Sequence, residues 1–153
     1  MGLDMYLNAR KFTTPEYFNP EDFNRISSAL DLSPEHMSDM PSIDININVA
    51  YWRKSNQIHQ WFVNNVQDGK DDCNEYPVNH QTLITLKELC KLVLENKNLA
   101  KVHLPTQEGF FFGNTEYGEY YYSDIEDTIS QIDNVLEHYP LEKGWALSYQ
   151  SSW

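Results

Sequence analysis

The chain has 153 residues, 41% of them hydrophobic and 14% aromatic, which is enough apolar mass for one core and excludes a disordered chain. Its 11 basic and 23 acidic residues leave a net charge of −12, which works against non-specific binding to nucleic acid phosphates. No run of 18 apolar residues is present, so no membrane span is expected, and the charges inside "MGLDMYLNARKF" argue against a signal peptide.

Residues 2–9, "GLDMYLNA", alternate loosely through Leu3, Met5 and Leu7 and predict a strand. "NPEDFNRISSALDLS" predicts a helix. Asn19 can cap it, Pro20 fits its first turn, and Glu21 and Asp22 suit the positive end of the dipole. Phe23, Ile26 and Leu30 form its apolar stripe. Residues 31–42, with Pro34 and Pro41, read as a loop. "IDININVAYW" sets Ile43, Ile45, Ile47 and Val49 against Asp44, Asn46 and Asn48, the clearest half-buried strand in the chain.

A helix is expected next from about Arg53 to Gln67, with Gly69 as its stop. A third runs from about His80 to Asn96 behind an Asn79 cap, with Leu83, Leu86, Leu89, Cys90, Val93 and Leu94 as its stripe. "GFFFG", residues 109–113, reads as a buried strand or the floor of a pocket. The last helix carries Tyr117, Tyr121, Ile125, Ile129, Ile132, Leu136 and Tyr139 on one stripe. That spacing reaches back to Tyr117, whereas a Ser123–Glu126 capping box favours a later start. "WALSYQSSW" closes the chain as a strand. The resulting expectation is an α+β fold, three or four helices packed on a small, mostly antiparallel sheet, in a single domain over residues 1–153.

Cys73 and Cys90 have no zinc spacing, and both suit free thiols in a reducing cytoplasm. Cys90 lies on an apolar helix face, as a buried thiol does. The five histidines share no ligand spacing, and the chain lacks a nucleophile elbow, a Walker loop and a Cys-x-x-Cys pair. No metal or cofactor is therefore expected, and no catalytic residue is indicated.

Two stretches concentrate chemistry. In "VAYWRKSNQIHQWFV" the helical period puts Ile58, Trp61 and Phe62 in the core and leaves Trp52, Arg53, Lys54, Asn56 and His59 along its edge. Arg53 and Lys54 fall at the expected helix N-terminus, where free N–H groups and the dipole suit an anion. Alternatively they pair with acids elsewhere in the fold. The second stretch, "GFFFGNTEYGEYYYSD", joins flat tyrosine surfaces to carboxylates, with Glu116, Tyr117, Tyr120 and Tyr121 as candidate ligand contacts. It lies within residues 102–142, which hold nine acids and no Lys or Arg. That segment favours basic partners, or is simply a solvated acidic face.

"MGLDMYL", "YWRKSNQIHQWF", "DDCNEYPV" and "GFFFGNTEYGEYYYSD" resemble segments of a family of small proteins encoded by phages and prophages. The resemblance touches both ends and the middle of the chain, leaving out about residues 12–42. It implies an origin in a phage or prophage and a place in the host cytoplasm, and it carries over no catalytic residue. By analogy, such a protein acts as an accessory factor on a host system. The leading expectation is a non-enzymatic binder that modulates a host process, such as a defence system, through a host protein or a small anionic ligand. The alternatives are a small enzyme on a nucleotide or phosphorylated substrate, with His59 or Glu116 as acid or base, and an acidic mimic of nucleic acid. Direct nucleic acid and membrane binding are not expected.

Overall fold

A computed structural model describes residues 2–153. Four strands form one antiparallel sheet: β1 (Asp4–Thr13), β2 (Ile43–Arg53), β3 (Tyr76–Val78) and β4 (Ala146–Ser152), in the order β2-β1-β4-β3. The helices are α1 (Pro20–Ala29), α2 (Asn56–Asn65), α3 (His80–Glu95), a single turn α4 (Ala100–His103), and α5 (Glu119–His138). The class is α+β, as the periodicity predicts, with four helices of ten residues or more among the described residues.

β1 lies at the centre of the sheet because its alternation suits a strand with one buried face. Leu3, Met5, Leu7 and Ala9 are fully buried, and Asp4, Tyr6 and Asn8 face the other way. It runs four residues past its expected end, pairing Thr13 with Ile43. The extension puts Lys11 on the core-facing side. Its ammonium is held by Asp22 at 2.8 Å and lies 4.6 Å from the Trp145 ring centre, so the charge is buried with partners.

β2 departs from simple alternation. Leu7 pairs with Ala50 and Asn8 with Asn48, so Val49 is an extra residue in a β-bulge. Beyond the bulge the inward positions are Ala50 and Trp52, not Val49 and Tyr51. β2 is also an edge strand, and Gln131 of α5 closes part of that edge. Its amide donates to Tyr51 O at 2.9 Å and accepts from Tyr51 N at 2.7 Å, which blunts further strand pairing there.

The helices bury the inner sheet face in one apolar cluster. Ile58 and Phe62 from α2, Leu83, Leu86, Cys90 and Val93 from α3, and Ile125, Ile132 and Val135 from α5 are buried in it. α3 begins where its sequence indicates, with the Asn79 side chain accepting from Thr82 N at 2.7 Å.

Other expectations are corrected. α2 starts at Asn56, because β2 runs on to Arg53 and Lys54 then turns with a left-handed φ of 57°. Asn19 sits at the start of α1 with φ 47°, but its side chain donates to Phe12 O at 3.0 Å and does not cap the helix. Leu30 falls beyond the end of α1 and is exposed, while Ser27 is buried beside Phe23. α5 begins at Glu119, ahead of the Ser123–Glu126 box. The buried Tyr121 donates to Leu104 O at 2.7 Å and ties down that first turn. "GFFFG" is a turn, neither strand nor pocket floor: Phe112 is buried, and Phe110 projects into solvent.

Candidate functional site

The strand-to-helix junction is the natural starting point, because five candidate residues meet there. Trp52 lies inside the core, 3% exposed, with its indole N–H donating to Thr128 Oγ1 at 3.0 Å and its ring against Phe62. The bulge at Val49 puts it there, so it cannot line a surface site.

Arg53 ends β2, exposed, with Nε 4.0 Å from Asp4 Oδ1. Lys54 is exposed, and its side chain lies close over Gly2 and Gly113. A Cβ on Gly113 would lie 3.0 Å from Lys54 Cβ. Neither residue stands on the first turn of α2. The backbone N–H groups of Asn56, Ile58 and His59 already bond Lys54 O and Ser55 O. The junction therefore offers an anion fewer free donors than a bare helix N-terminus does.

Asn56 is fully buried and fully used. Its amide donates to Phe112 O at 3.0 Å and Asn114 O at 2.9 Å, and its carbonyl accepts from Gln107 N at 2.9 Å. It fastens the 107–114 loop to the start of α2. His59 is likewise fully buried. Nδ1 lies 2.8 Å from the Tyr149 hydroxyl and Nε2 lies 3.0 Å from Asp71 Oδ2. Burial holds the Tyr149 phenol well above its usual range, so it keeps its proton and donates to Nδ1. Nε2–H then donates to Asp71, whose other oxygen accepts from the Trp153 indole at 3.0 Å. This chain of groups looks like a proton relay, but Phe62 stacks on Tyr149 at 4.0 Å and Phe112 meets His59 edge-on at 5.2 Å. Between these rings the His59 imidazole has no exposed surface.

The tyrosine-acid stretch divides in the same way. Tyr121 is buried, and Tyr117 is half-buried, with its hydroxyl accepting from Thr106 N at 3.1 Å. Glu116 is exposed; its own N–H donates to Asn114 Oδ1 at 2.8 Å, and its carboxylate accepts from the same amide. Tyr120 is exposed, 83% accessible. A shallow groove of ≈ 630 Å³ at the start of α5, which Tyr120 does not line, is formed by Lys97, Tyr117, Glu119, Tyr122, Ser123 and Glu126, with the Lys97 ammonium 4.5 Å from the Tyr122 ring centre.

The two stretches do come together. Gln57 donates to Asp124 Oδ2 at 3.3 Å, and Asn56 reaches Asn114 O. They meet by direct hydrogen bonding between Gln57 and Asp124 and between Asn56 and the 112–114 backbone. The acids of α5 also bear on the mimic reading. Glu119, Glu126, Asp133 and Glu137 share one face of the helix, while Asp124 turns to Gln57 and Asp127 to Gln131. Seven residues of helix rise about 10.5 Å, against roughly one duplex charge per 1.7 Å, so this row is several-fold too sparse.

The surface the sequence reading missed lies in residues 12–42. Phe12, Tyr17, Phe18 and Met40 are 46%, 81%, 58% and 90% exposed. The turn that presents two of them is well tied: Thr14 N donates to Phe18 O at 2.7 Å, and Thr14 Oγ1 accepts from Tyr17 N and Phe18 N. Phe12 and Phe18 pack edge to face at 5.8 Å. Two grooves flank the group, of ≈ 380 Å³ and ≈ 550 Å³, and share Pro15, Asp39 and Pro41. One signal was available in the sequence: Tyr17, Phe18 and Met40 belong to no helical or strand stripe.

Among the described residues no group of three or more His, Cys, Asp or Glu side chains could hold a metal ion, and no helix is long and apolar enough to cross a membrane. No family model matches the chain, no curated protein matches it, and no solved structure matches it.

Proposed function

We propose that the chain is a non-enzymatic binding protein of phage or prophage origin that modulates a host process in the bacterial cytoplasm by docking on a host protein. The observation that carries this reading is the exposed set Phe12, Tyr17, Phe18 and Met40, two of them on a tied turn, all four lining one groove. Isolated exposed apolar residues are ordinary, but large aromatic and Met side chains gathered on one patch are typical of protein contact surfaces. The inward use of Trp52, Asn56 and His59 also favours binding over catalysis, since the chemistry-bearing side chains are spent on holding the fold. A small anionic ligand is the weaker reading, because only Arg53 and Lys54 remain exposed at the junction.

The test is site-specific photocrosslinking in host cells. A photoreactive residue at Tyr17 or Met40 is expected to give one dominant protein adduct. The same group at Gln81, exposed on α3, serves as the background position. Adduct yields at Tyr17 and Met40 no higher than at Gln81 would refute the reading.

A further inference from the structure

Residues 14–42 carry six acids, Glu16, Glu21, Asp22, Asp31, Glu35 and Asp39, against a single Arg or Lys, Arg25. Asp22 is taken by Lys11; the others are not ion-paired among the described residues. Asp39 lies on the ridge shared by the two grooves, and Glu16 lines the smaller one. The apolar part of the walls is Phe23, Leu32, Met37 and Pro34 on one side and Phe12, Phe18 and Met40 on the other, interspersed with uncharged polar residues such as Asn24, Ser28, Ser33 and Ser42. The Ser27 hydroxyl is buried at the larger groove and has no hydrogen-bond partner among the described residues. Its oxygen has less than 1 Å² of accessible surface, so it is enclosed by the fold and not offered to an occupant of the groove.

We infer that the paired grooves take an extended peptide segment of a protein partner, with an apolar anchor side chain in each groove and Lys or Arg residues against Asp39 and Glu16. A peptide suits the surface because successive side chains can fill the apolar parts of both grooves while its backbone passes over the residues they share, Pro15, Asp39 and Pro41. A basic segment suits it because the free carboxylates repel an acidic one and steer a basic one. A second copy of this chain is disfavoured by the same charge, since each copy carries −12. This inference rests on the protein-binding reading and adds the chemistry of the partner.

The experiment is a selection of displayed random peptides on the full chain, followed by binding titrations with synthetic winners. The enriched peptides are expected to place Lys or Arg within a few residues of an aromatic or aliphatic anchor. Binding should weaken roughly threefold to thirtyfold in the Glu16→Gln, Asp39→Asn double variant. It should weaken about tenfold or more in Phe18→Ser or Met40→Ser. These four side chains are wholly or partly solvent-facing, and unchanged thermal melts confirm that each variant folds.

Enrichment of neutral or acidic peptides would overturn the inference, as would failure to enrich any sequence. Binding that survives Phe18→Ser and Met40→Ser would place the peptide elsewhere and overturn it too. A dimer in solution that is lost in those variants would assign the face to a second copy. In each of these cases a dominant crosslinked host protein at Met40 would leave the protein-binding reading standing, so the two failures are distinguishable.

Discussion

Asn56 provides the sharpest test of whether the strand-to-helix junction is structure or site. Its fully buried side chain makes three hydrogen bonds, all to backbone groups of the 107–114 loop. At about 1 kcal/mol net per bond, Asn56→Ala should cost about 3 kcal/mol. Stranding the Gln107 N–H and two carbonyls without partners raises that toward about 5 kcal/mol. Against a domain stability of about 5–15 kcal/mol this is a large fraction. A loss of about 3 kcal/mol corresponds to roughly 6–12 °C in Tm for a chain of this size.

Asn56→Asp refines the expectation. The carboxylate still accepts from Gln107 N, but it turns an oxygen toward Phe112 O and Asn114 O where the amide had donated. It should be less stable than Asn56→Ala at neutral pH and partly recover in acid, where the protonated carboxyl can donate again. Urea unfolding followed by fluorescence of the four tryptophans measures both variants, and amide exchange at Gln107 reports the local bond. If both variants fall within about 1 kcal/mol of the parent, or if Asn56→Asp is the milder one, Asn56 is not the fastening of this loop and the inward reading of the junction fails.

Three further outcomes follow from buried groups. Tyr149→Phe removes the donor to His59 Nδ1 and should cost about 1–3 kcal/mol in urea unfolding, whereas an unchanged midpoint would mean that the imidazole is served by water. Burial raises the Asp124 carboxyl above its ordinary 3.8, outweighing the lowering by its hydrogen bond from Gln57. The folded state therefore binds this proton more tightly than the unfolded state, and stability falls as pH rises from 3.8 through the higher folded value. Asp124→Asn should abolish that fall and melt no lower than the parent at pH 7; a steeper pH dependence in the variant would contradict the assignment. Burial pushes the Cys90 thiol up to about 12, so at pH 8 a thiol reagent should modify only the half-buried Cys73 until urea unfolds the chain, and two thiols reacting at once in the native protein would be the contrary result.

The elements that came through as expected are those whose evidence is local. The stripe of α3, its Asn79 cap, and the alternation of Leu3, Met5 and Leu7 each depend on neighbours within one turn or one pleat. The buried thiol of Cys90 followed from the same helical period. Where the reading slipped, a distant partner had intervened. The unforeseen strand β3 exists because Tyr76–Val78 meets Leu147–Tyr149 across the sheet. β1 extends to Thr13 because β2 lies alongside it, and Lys11 survives inside because Asp22 and Trp145 meet it there.

The candidate residues divide along the same line. Composition and spacing are enough to mark "VAYWRKSNQIHQWFV" as crowded with polar and aromatic groups, and periodicity is enough to send Ile58, Trp61 and Phe62 inward. Which way the others point is a property of pairing across the whole fold. One extra residue at Val49 turns Trp52 into the core. A left-handed turn at Lys54 moves Arg53 and Lys54 off the helix. Partners 12 to 90 residues away take up Asn56 and His59. The exposed patch at Phe12, Tyr17, Phe18 and Met40 depends on the same level, since whether an apolar side chain is covered is decided by what the rest of the chain packs over it.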